Sequence, residues 1–304
     1  QKRYKLLISN GINPKKAANI IFNIPEVTKP NLLIIIGSIF FVIFTLLVGT
    51  SKMAFSQEIV FVGSFMIILF LLFKLSNELD ANAKKMLIGT AIIIFVFRAM
   101  PGVGQGGSWF EIDVLGFDQE FLSLLGLIAS FLTILGIFVL RPLMEKSSMT
   151  RLIVILSIAG SFFILPSIAM FYGFHEFTSK FTNGFVDARF IAIFNTALES
   201  PLGQVSMIPI LAWIAQSAPN HLKATFFAVL ASFTNLALSA SNLGTKYLNQ
   251  IYVITREVKN DLGIIKTPAD YSELGILLIV VCALTLTVPI LVTYIVKKLK
   301  LLSY

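Results

Sequence analysis

The sequence predicts an all-α membrane protein with eight spans, on three observations. Of the 304 residues, 56% are hydrophobic and 13% charged. The mean hydropathy is +0.86, which leaves too little polar surface to cover a soluble fold of this length. Eight apolar runs, near 31–49, 58–75, 86–108, 120–141, 151–173, 187–217, 222–249 and 273–297, are long enough for a bilayer crossing, which needs roughly 20 residues. The basic residues favour alternate connections. Sixteen of the 24 Lys and Arg fall in residues 1–30, in loops carrying Lys74, Lys84 and Lys85, then Arg141, Lys146 and Arg151, then Lys223, and in a tail with Lys297, Lys298 and Lys300. The intervening loops carry Lys52, then Glu111, Asp113, Asp118 and Glu120 without a base, then Lys180, then a mixed set of Arg256, Lys259 and Lys266. By the positive-inside rule both termini are cytoplasmic, as an even number of spans requires.

The same distribution accounts for the net charge of +8. The basic residues lie on no single amphipathic face, so no nucleic-acid partner is expected. The one cysteine, Cys282, lies inside an apolar run, which excludes a disulfide framework and a thiolate metal site. His175 and His221 read as loop residues on opposite sides of the membrane, and Gly102-Val103-Gly104 lies in a membrane run rather than after a strand. With no phosphate-binding loop either, an enzyme is not expected, and no metal or cofactor is implied.

Taken from the N-terminus, residues 1–30 are basic and lack the apolar core and cleavage site of a signal peptide. The chain therefore reads as starting inside a longer protein, with this segment as a cytoplasmic linker. Asn13 as cap and Pro14 at the first helical position predict a short surface helix reaching Phe22. The runs at 31–49 and 58–75 contain no buried charge, and are expected to be structural spans with no site of their own. Later runs are interrupted: by Pro101-Gly102-Val103-Gly104-Gln105-Gly106-Gly107, by Pro166, by Pro201 with Gly203, by Pro209 and by Pro289. Breaks free backbone groups that need protein, water or ligand partners, so the 101–107 interruption is expected to line a cavity. Pro166 and Pro289 read as packing kinks. Near the ends of the later runs, Lys246 is expected to reach the headgroups, and Trp109 and Trp213 to lie in the aromatic belts.

Two charges lie at membrane depth. Arg98 follows Lys85 by 13 residues and Glu199 follows Asp187 by 12 on an oppositely directed helix. At 1.5 Å per residue these are depths of roughly 20 and 18 Å. Ionisable groups there cost several kcal/mol and usually face a watery cavity or a partner, so both are expected to face one central cavity. Glu199 can accept hydrogen bonds from a donor-rich substrate edge, while Arg98 clamps a carboxylate with its planar fork. Alternatively the two bond each other, or carbonyls freed by the prolines, and only lock helices together. A desolvated Glu199 can also relay protons. Asn195 lies one turn before Glu199 on the same face, and Gln105 and Gln204 sit beside the breaks. All three amides can donate and accept to a heterocycle, or glue helices together.

Three stretches resemble a known family. The first is Pro201-Leu-Gly203-Gln204-Val-Ser-Met-Ile-Pro209, continuing through Ala218-Pro219, Ala224-Thr225, Phe227-Ala228, Ser232 and Asn235. The second is Leu115-Gly116-Phe117-Asp118-Gln-Glu120-Phe121-Leu122 with Leu135-Gly136 and the basic loop to Arg151, and the third is the break from Pro101 to Gly107. Together they cover about residues 86–250, and they resemble the folate-biopterin transporter family of the major facilitator superfamily. That resemblance implies a C-terminal six-helix bundle at 86–304, preceded at 31–75 by two extra transmembrane helices that join it to an N-terminal six-helix bundle absent from this chain. It also implies alternating access around a midplane site and a folate or pterin substrate, with Glu199 and Arg98 suited to its two ends. The expected function is thus secondary active transport of a small organic anion by proton symport, in a bacterial inner membrane. The rival expectations are transport of an unrelated solute (a peptide, sugar or nucleotide derivative) and a transport-inactive membrane scaffold.

Overall fold

A computed structural model describes residues 32–51, 53–203, 205–217, 223–260 and 263–301. The linker at 1–30, its surface helix, Gln204 and His221 lie outside the described residues. Among the described residues the helices are α1 (Leu32–Gly49), α2 (Ser56–Ser76), α3 (Ala81–Arg98), α4 (Gln105–Asp113), α5 (Gln119–Val139), α6 (Arg141–Lys146), α7 (Met149–Phe171), α8 (Phe174–Phe181), α9 (Ala188–Glu199), α10 (Met207–Ser217), α11 (Lys223–Ile251) and α12 (Leu274–Lys298). A 3-10 turn, Ser200–Leu202, follows α9, and a small antiparallel hairpin, β1 (Val258–Lys259) with β2 (Ile265–Thr267), precedes α12.

Short polar residues set the helix starts. Asp80 accepts from the N–H groups of Asn82 and Ala83 to open α3, Asp118 from Phe121 to open α5, Ser148 from Arg151 to open α7, and Asp187 from Phe190 to open α9. Each side chain satisfies donors that the first helical turn leaves unpaired. Pro166 and Pro289 sit inside the continuous helices α7 and α12, where they interrupt neither element. These two helices form the largest helix–helix contact in the protein, joined also by the Cys282 thiol, which donates to the Ser161 carbonyl.

Among the described residues, five helices, α2, α5, α7, α11 and α12, are long and apolar enough to cross a membrane. They correspond to five of the eight apolar runs. Of the others, 31–49 holds α1, an apolar helix of 18 residues. Run 86–108 is divided into α3 and α4 with an unwound segment between them, and α3 carries Lys84, Lys85 and Arg98 within its 18 residues. Run 187–217 is divided into α9, the 3-10 turn and α10. Proline and glycine at those breaks remove a backbone donor or favour a non-helical conformation, so hydropathy continues where the helix does not.

The interior is apolar and the outer faces are too. Ile94, Ile210, Ile214, Phe226 and Leu230 are buried in one cluster joining α3, α10 and α11. Leu127, Phe131 and Phe138 of α5 remain 63–72% exposed, the pattern of a helix whose outer face meets lipid. Trp213 packs partly buried against this core, and His175 belongs to α8 rather than a loop.

Candidate functional site

The site is built around α11 and the break between α3 and α4. Residues 99–104 leave the helix, and Gly104 has φ +77°, a conformation that Gly adopts without penalty. The freed backbone groups are met by α11. Ser241 donates to the Met100 carbonyl at 2.6 Å, Thr245 Oγ1 accepts from the Gly102 N–H at 2.9 Å, and Asn249 donates to the Val103 carbonyl at 3.1 Å. Three polar residues on one face of a membrane helix thus hold the break open.

A second, adjacent face of α11 is also polar. Ser232, Asn235, Ser239, Asn242 and Lys246 recur at intervals of three and four, which keeps them within one stripe of a helix and extends it over roughly 21 Å. Two neighbouring cavities lie along this stripe. One, of about 530 Å³, lies between α1, α2 and α11, with Phe41, Thr45, Phe61, Ser64, Asn235 and Asn242 in its wall. The other, of about 720 Å³, is bounded by Glu58, Gly104, Gln105, Thr245, Lys246 and Asn249. Gln57 and Asn242 line both.

Where the second cavity meets α2, Lys246 Nζ donates to Glu58 Oε1 at 2.6 Å and the Tyr247 hydroxyl donates to the same oxygen at 2.8 Å. Glu58 Oε2 is buried and unpartnered among the described residues. Lys246 is thus paired with a carboxylate from another helix. From α2, Gln57, Glu58 and Ser64 line these cavities. The sequence signal that marks this region is the polar spacing on α11, which hydropathy averaging over the run conceals.

The expected site residues occupy several places. Arg98 is the last residue of α3 and Glu199 the last of α9, each immediately before a break. Arg98 is half-buried, with Nη1 3.2 Å from Met207 Sδ of α10 and Nε buried without a partner. Among the described residues, no ion pair joins Arg98 to Glu199, and the Glu199 carboxylate has no hydrogen-bond partner. Asn195 donates to the Phe163 carbonyl of α7 at 3.3 Å. Gln105 is exposed to the cavity that contains Glu58 and Lys246. The structure thus joins Gln105 to the α2–α11 cluster, Arg98 to α10 and Asn195 to α7.

Two polar clamps tie the loops at the ends of α4 and α9 to neighbouring elements. Asp113, at the end of α4, receives a two-pronged contact from Arg256 at 2.7 and 2.8 Å and the Tyr271 hydroxyl at 2.7 Å. These bonds, that of Arg256 first, hold the Asp113 carboxyl below its ordinary value. Burial, then the bond to Asp113, pushes the Tyr271 hydroxyl up to about 12. At the start of α5, Asp118 caps Phe121 and pairs with Arg189 of α9 at 2.7 Å. The Phe121 N–H and then Arg189 lower its carboxyl too.

Long apolar helices with apolar side chains on their outer faces define an α-helical integral membrane protein. The family model described as the BT1 family matches residues 57–303, and the chain belongs to that family. A folate-biopterin transporter of Synechocystis sp. is 21% identical to it over 158 residues, 52% of this chain and 31% of that protein. The match spans about a third of the length of that curated relative. No solved structure matches the chain.

Proposed function

We propose that the protein is a secondary active transporter that moves a small organic anion, such as a folate or pterin, across a membrane by alternating access and proton symport. The family match over residues 57–303 carries this reading, and the name of the Synechocystis relative supports the substrate class. In this reading residues 86–304 form a major-facilitator-type bundle, and 31–75 link it to an N-terminal six-helix bundle of the same protein, with eight spans in the chain. The protein lies in a bacterial inner membrane with both ends of the chain cytoplasmic.

Arg98 provides the anion clamp. Its guanidinium is half-buried, has no carboxylate partner among the described residues, and stands at a helix break; a planar fork of donors there matches a substrate carboxylate. Glu199, also at a break, accepts from the substrate's donor edge or carries the coupled proton, with Asn195, Gln105 and Gln204 as further polar contacts. Breaks suit alternating access because half-helices can pivot while the remaining elements stay packed. The test is uptake of labelled folate and pterin by vesicles containing the full-length protein. Arg98→Met should lower folate uptake, and Glu199→Gln the uptake of both solutes, by about tenfold or more at equal expression. Undiminished uptake in both variants removes these residues from the site.

A further inference from the structure

The polar residues of α11 fall into two groups that behave differently. Ser241, Thr245 and Asn249 are bonded to the backbone of the α3–α4 break, which is what helix-fastening residues do. Asn235 and Asn242 face the 530 Å³ cavity instead, and both are exposed to it. Neither amide has a protein partner among the described residues, and the same is true of Gln57 across from them. The neighbouring Phe233 and Leu236 are buried at 6% and 7% exposure, so the orientation of the amide face follows from packing of its flanks.

The chemistry of this wall is neutral. It consists of amides, of hydroxyls including the nearly buried Ser64 and Thr45, whose Oγ1 is buried and unpartnered, and of the rings of Phe41 and Phe61. The nearest charges on α2 and α11, Glu58 and Lys246, are paired with each other. An amide presents one donor and one acceptor side by side, the arrangement that matches the edge of a flat heterocycle, while aromatic rings can stack on its face. The volume lies within the roughly 300–1,000 Å³ of small-molecule sites.

We propose that the cavity between α1–α2 and α11 binds the uncharged, planar ring of the solute, with Asn235 and Asn242 reading its donor–acceptor edge. This deepens the transport reading and rests on it for the substrate class. It places the ring at α11 and leaves the carboxylate-bearing tail to other groups, Arg98 among them.

The test uses detergent-purified full-length protein and three probes: pterin, which is the ring alone, folate, which is ring and tail, and p-aminobenzoylglutamate, which is the tail without the ring. Asn235→Leu and Asn242→Leu should weaken pterin and folate binding roughly tenfold, the loss of about one buried hydrogen bond, and leave p-aminobenzoylglutamate unaffected. Arg98→Met should show the converse, sparing pterin. Unliganded melting temperatures identify variants that fail to fold. For those, Asn242→Cys offers a second measurement, since pterin should slow its labelling by a maleimide. Ring binding indifferent to both asparagines, absence of pterin and folate binding to the wild type, or labelling that pterin does not slow each overturns the site. Asparagine-dependent binding without vesicle uptake sinks the transport reading and keeps the site, whereas normal uptake by both Leu variants keeps transport and sinks the site.

Discussion

At the scale of single residues, the ion pair between Glu58 and Lys246 shows how context changes the role of a charged side chain. Lysine near a helix end can extend to water and cover apolar surface with its stem. Here Glu58, with a side chain 19% exposed, pairs with Lys246, and Tyr247 adds a second donor to the same oxygen. Interhelical polar contacts in membranes are worth on the order of 1 kcal/mol. Lys246→Met should therefore destabilise the protein by about that amount, and Glu58→Gln should cost less in a Lys246→Met background than in the wild type. A double-mutant cycle of melting temperatures in detergent checks this, and strict additivity would dissociate the two residues. The sequence could not pair them, because 188 positions separate them and neither run announces its neighbour.

Elements give the quoted motifs their structural meaning. Leu135-Gly136 and Pro201-Leu202 lie far apart in sequence but touch in the fold. A Cβ on Gly136 would run into the carbonyl oxygen and Cα of Pro201, and Thr133 donates to the Ser200 carbonyl at 2.9 Å. α5 thus supports the 3-10 turn directly after Glu199. Because the obstruction is backbone, which moves less readily than a side-chain tip, Gly136→Ala should destabilise by about 1–3 kcal/mol. It should also reduce uptake, measured alongside the melting temperature; an unchanged melting temperature would show that the turn can retreat. The Leu115–Leu122 block acts similarly. Phe117 and Phe121 are buried, and Asp118 joins α5 to Arg189 of α9, so this motif positions the helix bearing Asn195 and Glu199 without itself lining a cavity described above. The α3–α4 break is likewise a tertiary object. Asn249→Leu would remove the partner of the Val103 carbonyl, and hydrogen exchange should rise across residues 99–106 if that bond matters.

For the whole molecule, the two loop clamps define a pH response. Asp113 and Asp118 have lowered carboxyl values, so their stabilisation is complete above the ordinary carboxylate range, near pH 4, and is lost as pH falls through their depressed folded values. Tyr271 is raised to about 12; its contribution is present below the ordinary tyrosine value near 10 and is lost as pH rises through 12. From these groups the melting temperature should be flat between about pH 5 and 9 and fall outside it. Asp113→Asn should diminish the acid-side loss; an identical profile in that variant would assign the acid response to other groups. The orientation of the chain is a separate question for the intact protein. Single cysteines introduced in the 113–118 loop and in the 141–151 loop should label from opposite faces of the membrane, the first from outside.

Hydropathy made the membrane class and the approximate positions of the long helices legible, because each apolar run has to hide its backbone bonds inside a helix whatever its neighbours are. Local chemistry also marked the breaks, since proline and glycine disturb a helix from within the chain. What depended on assembly was the use made of those breaks: Ser241, Thr245 and Asn249 reaching residues 100–103, Gly136 meeting Pro201, and Glu58 meeting Lys246. Composition and periodicity report how one segment meets its surroundings, but which polar groups oppose one another across a cavity follows from the packing of helices that no local pattern encodes.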